Sequence, residues 1–314
     1  MNYVDSVSLF NQMNGRLRIS ITTNCQLNCT FCHREGINEQ TYPLDMNLDF
    51  FKNLIESFKD LNGKEINLTG GEPLLHSKIV EMIDIAHNPN WKLAICTNGL
   101  MLDKIYHVIN KLDEIKLSLH EIDDIKGKKL LGANFDFLDL EKKIKTALEM
   151  GANIKINFTL TQKNKHSLKK IIRKIIEWKT DFLICDLMET KRGDIKNQIG
   201  YINTNISEKE LLNYSKFHSY IDNNTGVRLK MFSASNGKKW MIKNYNEKKL
   251  YTKMCKKCRY IDICGEGIFV LRVDPEGVFR PCLLRSDLEK KISIYSSKNE
   301  VKNHIIHMLN MMFN

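Results

Sequence analysis

The chain has 314 residues, 42% of them hydrophobic, and a formal net charge of +11. The length suits one α/β barrel of roughly 200–250 residues with a small appendage, and no run of about 18 apolar residues offers a membrane span. Residues 1–17 lack a basic start followed by an apolar core, so a secretory signal is not expected and the cytoplasm, where cysteines stay reduced, is the expected compartment. A lysine-rich solvated surface is the plain reading of this charge, and a small anionic substrate is the sharper one. No arginine-rich block with interleaved aromatics occurs, so polymeric nucleic acid is not an expected partner.

Short apolar runs alternate with amphipathic stretches along the chain. Strands are expected at 16–22, 65–69, 92–97, 114–119, 153–160 and 181–187. Helices are expected near 47–60, 77–87, 101–111, 138–150 and 166–178. Strict strand–helix alternation means parallel strands with right-handed crossovers. Six such units predict a partial (β/α)6 TIM-like barrel, with chemistry at the C-terminal strand ends. Residues 190–250 read as a polar connecting region with a helix at 207–222. "DPEG" at 274–277 marks the turn of a hairpin, and a last helix is expected near 299–313. The expected division is 1–230 for the barrel with its connecting region and 231–314 for a cysteine-rich region.

Seven of the nine cysteines fall in two clusters. Cys96 and Cys185 lie within apolar runs and read as core residues. In the first cluster, Cys25, Cys29 and Cys32 are spaced C-x3-C-x2-C, with Phe31 before the last. Structural zinc normally closes with four protein ligands. No fourth cysteine follows at finger spacing, and His33 directly adjoins Cys32, a poor geometry for one tetrahedral site. Three ligands suit a 4Fe–4S cluster with one iron left open.

"CQLNCTFC" and "LTGGEPLL" (68–75) together resemble the two signatures of the radical SAM superfamily. The resemblance implies that Cys25, Cys29 and Cys32 hold a 4Fe–4S cluster whose open iron chelates S-adenosyl-L-methionine. Reductive cleavage would then give a 5′-deoxyadenosyl radical that abstracts a hydrogen from the substrate. It further implies that Gly70, Gly71 and Glu72 meet the methionyl ammonium, and that Thr97, Asn98 and Ser118 contact the cosubstrate. A flavodoxin or ferredoxin would donate the electron. His120, at the fourth strand end, reads as a structural histidine rather than a pocket group.

Cys255, Cys258, Cys264 and Cys282 read C-x2-C-x5-C-x17-C. Zinc is the plain alternative, and an auxiliary 4Fe–4S cluster is expected beside the first motif, with the hairpin returning Cys282 to the others. "CGEG" would place Glu266 near that cluster, as in SPASM and Twitch elements. The whole arrangement resembles the molybdenum-cofactor GTP 3′,8-cyclase family. That resemblance implies substrate contacts at Arg18, Lys163 and Arg272. It departs at Val270, where the family has a second hairpin arginine, at the fourth auxiliary cysteine, and at the terminus "MLNMMFN", where the family has Gly-Gly. The leading expectation is thus an enzyme acting on a small anionic substrate such as GTP. Modification of a ribosomal peptide or natural-product metabolite is the second reading. A non-catalytic iron–sulfur or zinc protein is the third.

Overall fold

Alternation of polar and apolar residues along each strand decides which side chains join the core and which face inward. The computed structural model describes residues 5–37, 43–188, 199–222, 228–244, 250–262, 264 and 269–314. In β1 (Arg16–Ser20), Leu17 and Ile19 are fully buried in the core, while Arg16 and Arg18 line a central cavity. The same division recurs in β2 (Glu65–Thr69), β3 (Lys92–Thr97), β4 (Glu114–Ser118), β5 (Ile154–Thr159) and β6 (Asp181–Cys185). Glu65, Lys92, Glu114, Lys116 and Lys155 face the cavity, so its wall is charged rather than apolar.

The helices α1 (Ser6–Gln12), α2 (Leu48–Asp60), α3 (Ile79–Ala86), α4 (Asp124–Leu131), α5 (Phe137–Glu149) and α6 (Leu168–Trp178) fall before and between these strands. Capping side chains mark several of their starts. Asn47 Oδ1 accepts from the Phe50 amide at 3.1 Å, and Asp136 Oδ1 from the Asp139 amide at 3.0 Å. The stretch Leu102–Lys111, expected as an ordinary helix, winds as a 3-10 helix.

Beyond β6 the structure departs from expectation. Only α7 (Glu208–Leu212) is helical in the stretch assigned to a helix over 207–222, and Ser215–Asp222 is a strand, β7. It pairs antiparallel with β8 (Arg228–Ala234), which pairs antiparallel with β9 (Lys239–Lys243). The supposed connecting region therefore extends the sheet, and position 230 falls inside β8. β7, "SKFHSYID", has no distinctive period, and pairing supplies what the sequence does not announce.

The hairpin forms as expected, from β10 (Val270–Val273) and β11 (Val278–Arg280), followed by β12 (Lys290–Lys291). One sheet results, in the order β12-β11-β10-β1-β2-β3-β4-β5-β6-β9-β8-β7. β10 runs parallel to β1 and β9 parallel to β6, so the parallel barrel wall outruns the six expected strands. The final helix α8 (Lys298–Phe313) opens on a Ser297–Glu300 capping box. Its Phe313 ring packs against Phe10 and Phe269. Among the described residues, no helix is long and apolar enough to cross a membrane. Glu266 lies outside the described residues.

Candidate active site

The loop after β1 carries the first cysteines and is pinned from two sides. The Asn28 amide donates to Leu131 O at 2.8 Å, at the end of α4. From the other side, the Gly71 amide donates to Thr22 O and the Glu72 amide to Asn24 O, both at 2.7 Å. Both glycines are required by this approach. A Cβ on Gly70 would lie 2.3 Å from Thr22 O, and one on Gly71 2.3 Å from Asn24 O.

Cys25, Cys29 and Cys32 line a cavity of 580 Å³ together with Gly70, Gly71 and Glu72. Burial pushes the Cys25 thiol up to about 11, with Glu72 and Cys32 adding. Burial, with Cys32 and Cys25 adding, pushes Cys29 up to about 12. Such thiols become thiolates only beside a cation, so the donor set fits iron and would hold a 4Fe–4S cluster.

Glu72 is buried and has both oxygens engaged. Oε1 accepts from Thr97 Oγ1 at 2.6 Å and from the Leu74 amide at 3.0 Å, and Oε2 from the Asn98 amide at 2.8 Å. Burial outweighs these bonds and raises its carboxyl to about 7. A cation arriving there would drive off the proton. Thr97, Asn98 and Ser118 line the same cavity. His120 also lines it, but its Nδ1 accepts from the Thr159 amide at 3.1 Å and burial lowers it to about 4. Its ring meets Phe31 edge-on at 4.7 Å, so the aromatic residue before Cys32 wedges the cysteine loop against the end of β4.

Deeper in the cavity the strands carry a charged network. Lys116 Nζ reaches Glu65 at 3.0 Å and Glu114 at 3.4 Å, and Lys155 reaches Glu114 at 2.9 Å. Arg18 and Arg272 line the cavity, and Glu35 sits with them. Sequence reasoning missed Glu35, which looks like an ordinary loop charge in "CHREG". It is 5% exposed. Lys163 does not join them: it is exposed in the loop after β5. Cys96 and Cys185, expected in the core, are half-buried and face the cavity. Arg18 Nη1 lies 3.4 Å from Cys96 Sγ.

Cys255, Cys258, Cys264 and Cys282 line one small second pocket, walled by Met254, Ile261, Leu284 and Leu288. Cys282 is buried, and its Sγ accepts from the Leu284 amide at 3.4 Å. Four cysteines around an apolar hollow fit a second cluster as a donor set. Leu283 lines the first cavity while its neighbours Cys282 and Leu284 line the second, so one short segment separates the two. Among the described residues, no three His, Cys, Asp or Glu side chains close on a point as a single metal ion would need.

Residues 19–175 match the radical SAM superfamily. A probable GTP 3′,8-cyclase of Methanococcus aeolicus is 29% identical over 293 residues, which is 89% of this chain and 88% of that protein. Another from Methanococcus maripaludis is 34% identical over 146 residues, 45% of this chain and 48% of that protein, so this match spans about half the relative's length. Among solved structures, SuiB of Streptococcus suis bound to S-adenosylmethionine superposes with a TM-score of 0.60 at 17% identity, covering 88% of this chain and 63% of that one. That likeness concerns the fold.

Proposed function

Because the chain belongs to the radical SAM superfamily, and is therefore an enzyme of a class that uses a 4Fe–4S cluster and S-adenosyl-L-methionine, we propose that it abstracts a hydrogen atom from a small anionic substrate. A cluster held by Cys25, Cys29 and Cys32 would supply the electron that breaks the carbon–sulfur bond of S-adenosyl-L-methionine. The chain's own residues bind and orient. Glu72 offers a carboxylate to the methionyl ammonium and gives up its proton when that cation binds. The Gly70–Gly71 turn holds Glu72 against the cysteine loop. Thr97, Asn98 and Ser118 edge the same space, and Leu27, Leu100 and Phe135 supply the apolar wall that limits water near a radical.

One observation carries this reading: the cysteine loop, the Glu72 turn and a strand face rich in Arg and Lys all open onto a single cavity of 580 Å³. The names of the cyclase relatives make nucleotides the first substrate class to test. For the second pocket we propose an auxiliary 4Fe–4S cluster on Cys255, Cys258, Cys264 and Cys282. Four cysteines at that pocket also favour a second reading, in which the substrate is a peptide or metabolite and the auxiliary cluster does not bind it.

The test is anaerobic reconstitution followed by an assay of 5′-deoxyadenosine formation, with and without reductant and with candidate anions. Reductant-dependent formation that is stimulated by an anionic compound is expected. No formation under any condition would overturn the proposal.

A further inference from the structure

The cysteine loop has two sides. Its inner side faces the cavity proposed for cosubstrate and substrate. An electron bound for Cys25, Cys29 and Cys32 therefore has to arrive from the outer side, where Asn24, Asn28 and Thr30 are exposed. α4 is bonded directly to that side. The Asn28 amide donates to Leu131 O at 2.8 Å and the Thr30 amide to Leu130 O at 3.2 Å. Last-turn carbonyls have no partner inside their own helix, so the cysteine loop itself caps α4. Gly132 fixes the contact, with φ 70° and no room for a Cβ, which would lie 2.6 Å from Asn28 O. Leu131 lines the cavity, while Lys128 and Lys129 on the same turn are exposed.

The outer face of α4 has the make-up of a protein interface, an apolar centre with a charged rim. Ile125 on α4 and Leu138 on α5 are 72% and 74% exposed, the two most exposed large aliphatic side chains among the described residues. The Asp124 carboxylate accepts from the Phe137 amide at 2.9 Å, which holds the first turns of the two helices together and brings these positions to one corner. Lys128 and Lys129 follow Ile125 by three and four residues, so all three share one face of the helix. Charge is graded along this face. Asp123 and Asp124 are turned onto amides at the far end. The end against the cysteine loop carries Lys128 and Lys129, and Arg34 Nη2 stands 3.4 Å from Asn28 Oδ1 on the same rim. Among the described residues, neither Lys128 nor Lys129 has an ion pair.

We propose that this face of α4, with the Leu138 corner of α5, is the docking site of a small acidic protein that carries one electron at a time. This rests on the radical reading of the cysteine loop. The net charge of +11 draws an acidic carrier in, and the cations at the loop end of α4 aim its redox centre at the cysteines. The apolar corner supplies the contact that steering alone does not. Each productive encounter oxidises the carrier by one electron. Cleavage of one S-adenosyl-L-methionine to methionine and the 5′-deoxyadenosyl radical consumes that electron.

The experiment is calorimetric binding of two acidic carriers, a flavodoxin and a ferredoxin, to the reconstituted holoenzyme at several salt concentrations and without turnover. At least one is expected to bind, and to bind more weakly as salt rises. Lys128→Glu/Lys129→Glu is expected to weaken that binding by about tenfold or more. Lys256→Glu/Lys257→Glu makes the same charge change at exposed positions beside the second cysteine pocket, and is expected to shift it by less than about threefold. Carrier-driven 5′-deoxyadenosine formation should fall in Lys128→Glu/Lys129→Glu. Formation driven by dithionite, which needs no docking face, should stay within about twofold of wild type and show that the variant is folded. Equal weakening in the two double variants would mean that the carrier senses net charge alone, and would overturn the proposal. Weakening only in Lys256→Glu/Lys257→Glu, or no binding of either carrier, would also overturn it. Absence of dithionite-driven formation in the wild type sinks the radical reading instead, and the binding comparison still judges the α4 face.

Discussion

Arg18 and Glu35 form a two-bond ion pair, 2.5 and 2.7 Å, that ties the first strand to the loop leaving Cys32. Burial alone would raise the Glu35 carboxyl, but Arg18 first, then His33 and Arg272, hold it well below the usual carboxylate range. Glu35→Ala would leave the Arg18 charge buried without its main partner. The expected loss is about 3–5 kcal/mol, because removing one member of a buried pair strands the other. Urea unfolding measures it. A loss below about 1 kcal/mol would mean that water reaches Arg18 freely.

Acid should expose the strand network. Glu65 and Glu114 sit at about 2 despite burial that would raise them, chiefly because Lys116 and Arg16 pull on the first and Lys155 and Lys116 on the second. Their folded values lie below the ordinary 4.5, so the stability they contribute is fully present above that pH. It is lost as pH falls from about 4.5 toward about 2. Glu114→Gln should flatten the fall of the urea midpoint across that window. An unchanged slope would show that the network does not govern acid unfolding.

The six central strands were legible because four alternate polar with apolar residues, as in "RLRIS" and "EIKLS", and the other two, "KLAICT" and "DFLIC", are short apolar runs. The same alternation held the clue that was missed. The polar positions share one face, so Cys96, on the face of Lys92 in β3, belongs to the cavity rather than the core. β7 was read as helix because "SEKELLNYSKFHSYID" carries no strand period. Its structure comes from pairing with β8. Glu35 was invisible for a different reason. Its role depends on Arg18, 17 residues away, and no local pattern encodes that meeting.

The two cysteine sets should separate cleanly. Cys29→Ala is expected to abolish 5′-deoxyadenosine formation and remove about half of the iron. Cys282→Ala is expected to lose the other half while leaving the low-temperature EPR signal of the first site. Cys282 lies one residue from Leu283, which lines the first cavity. A shift in S-adenosyl-L-methionine affinity that accompanies its loss therefore leaves the prediction standing. Loss of all iron from Cys282→Ala would defeat the two-site description.

Gly71 offers a test of how the glutamate turn and the cysteine loop depend on each other. A Cβ there would sit 2.3 Å from Asn24 O and 2.6 Å from Thr23 O, and both are backbone atoms that cannot swing aside. Gly71→Ala must therefore push the turn off the loop. The two bonds that join them, at 2.7 Å each, would stretch together, and Glu72 would lose its 2.6 Å bond from Thr97. The expected stability cost is about 1–3 kcal/mol, as for other overpacked sites. S-adenosyl-L-methionine binding should weaken by more than about tenfold if Glu72 is its counter-charge, as we propose. Gly151→Ala is the control. Gly151 has φ 86° and nothing within 4 Å of a new Cβ, so alanine there strains the backbone without crowding any neighbour. It should cost stability and leave binding of S-adenosyl-L-methionine intact. Equal weakening of binding in both variants would show that global destabilisation, rather than displacement of Glu72, is what the ligand feels.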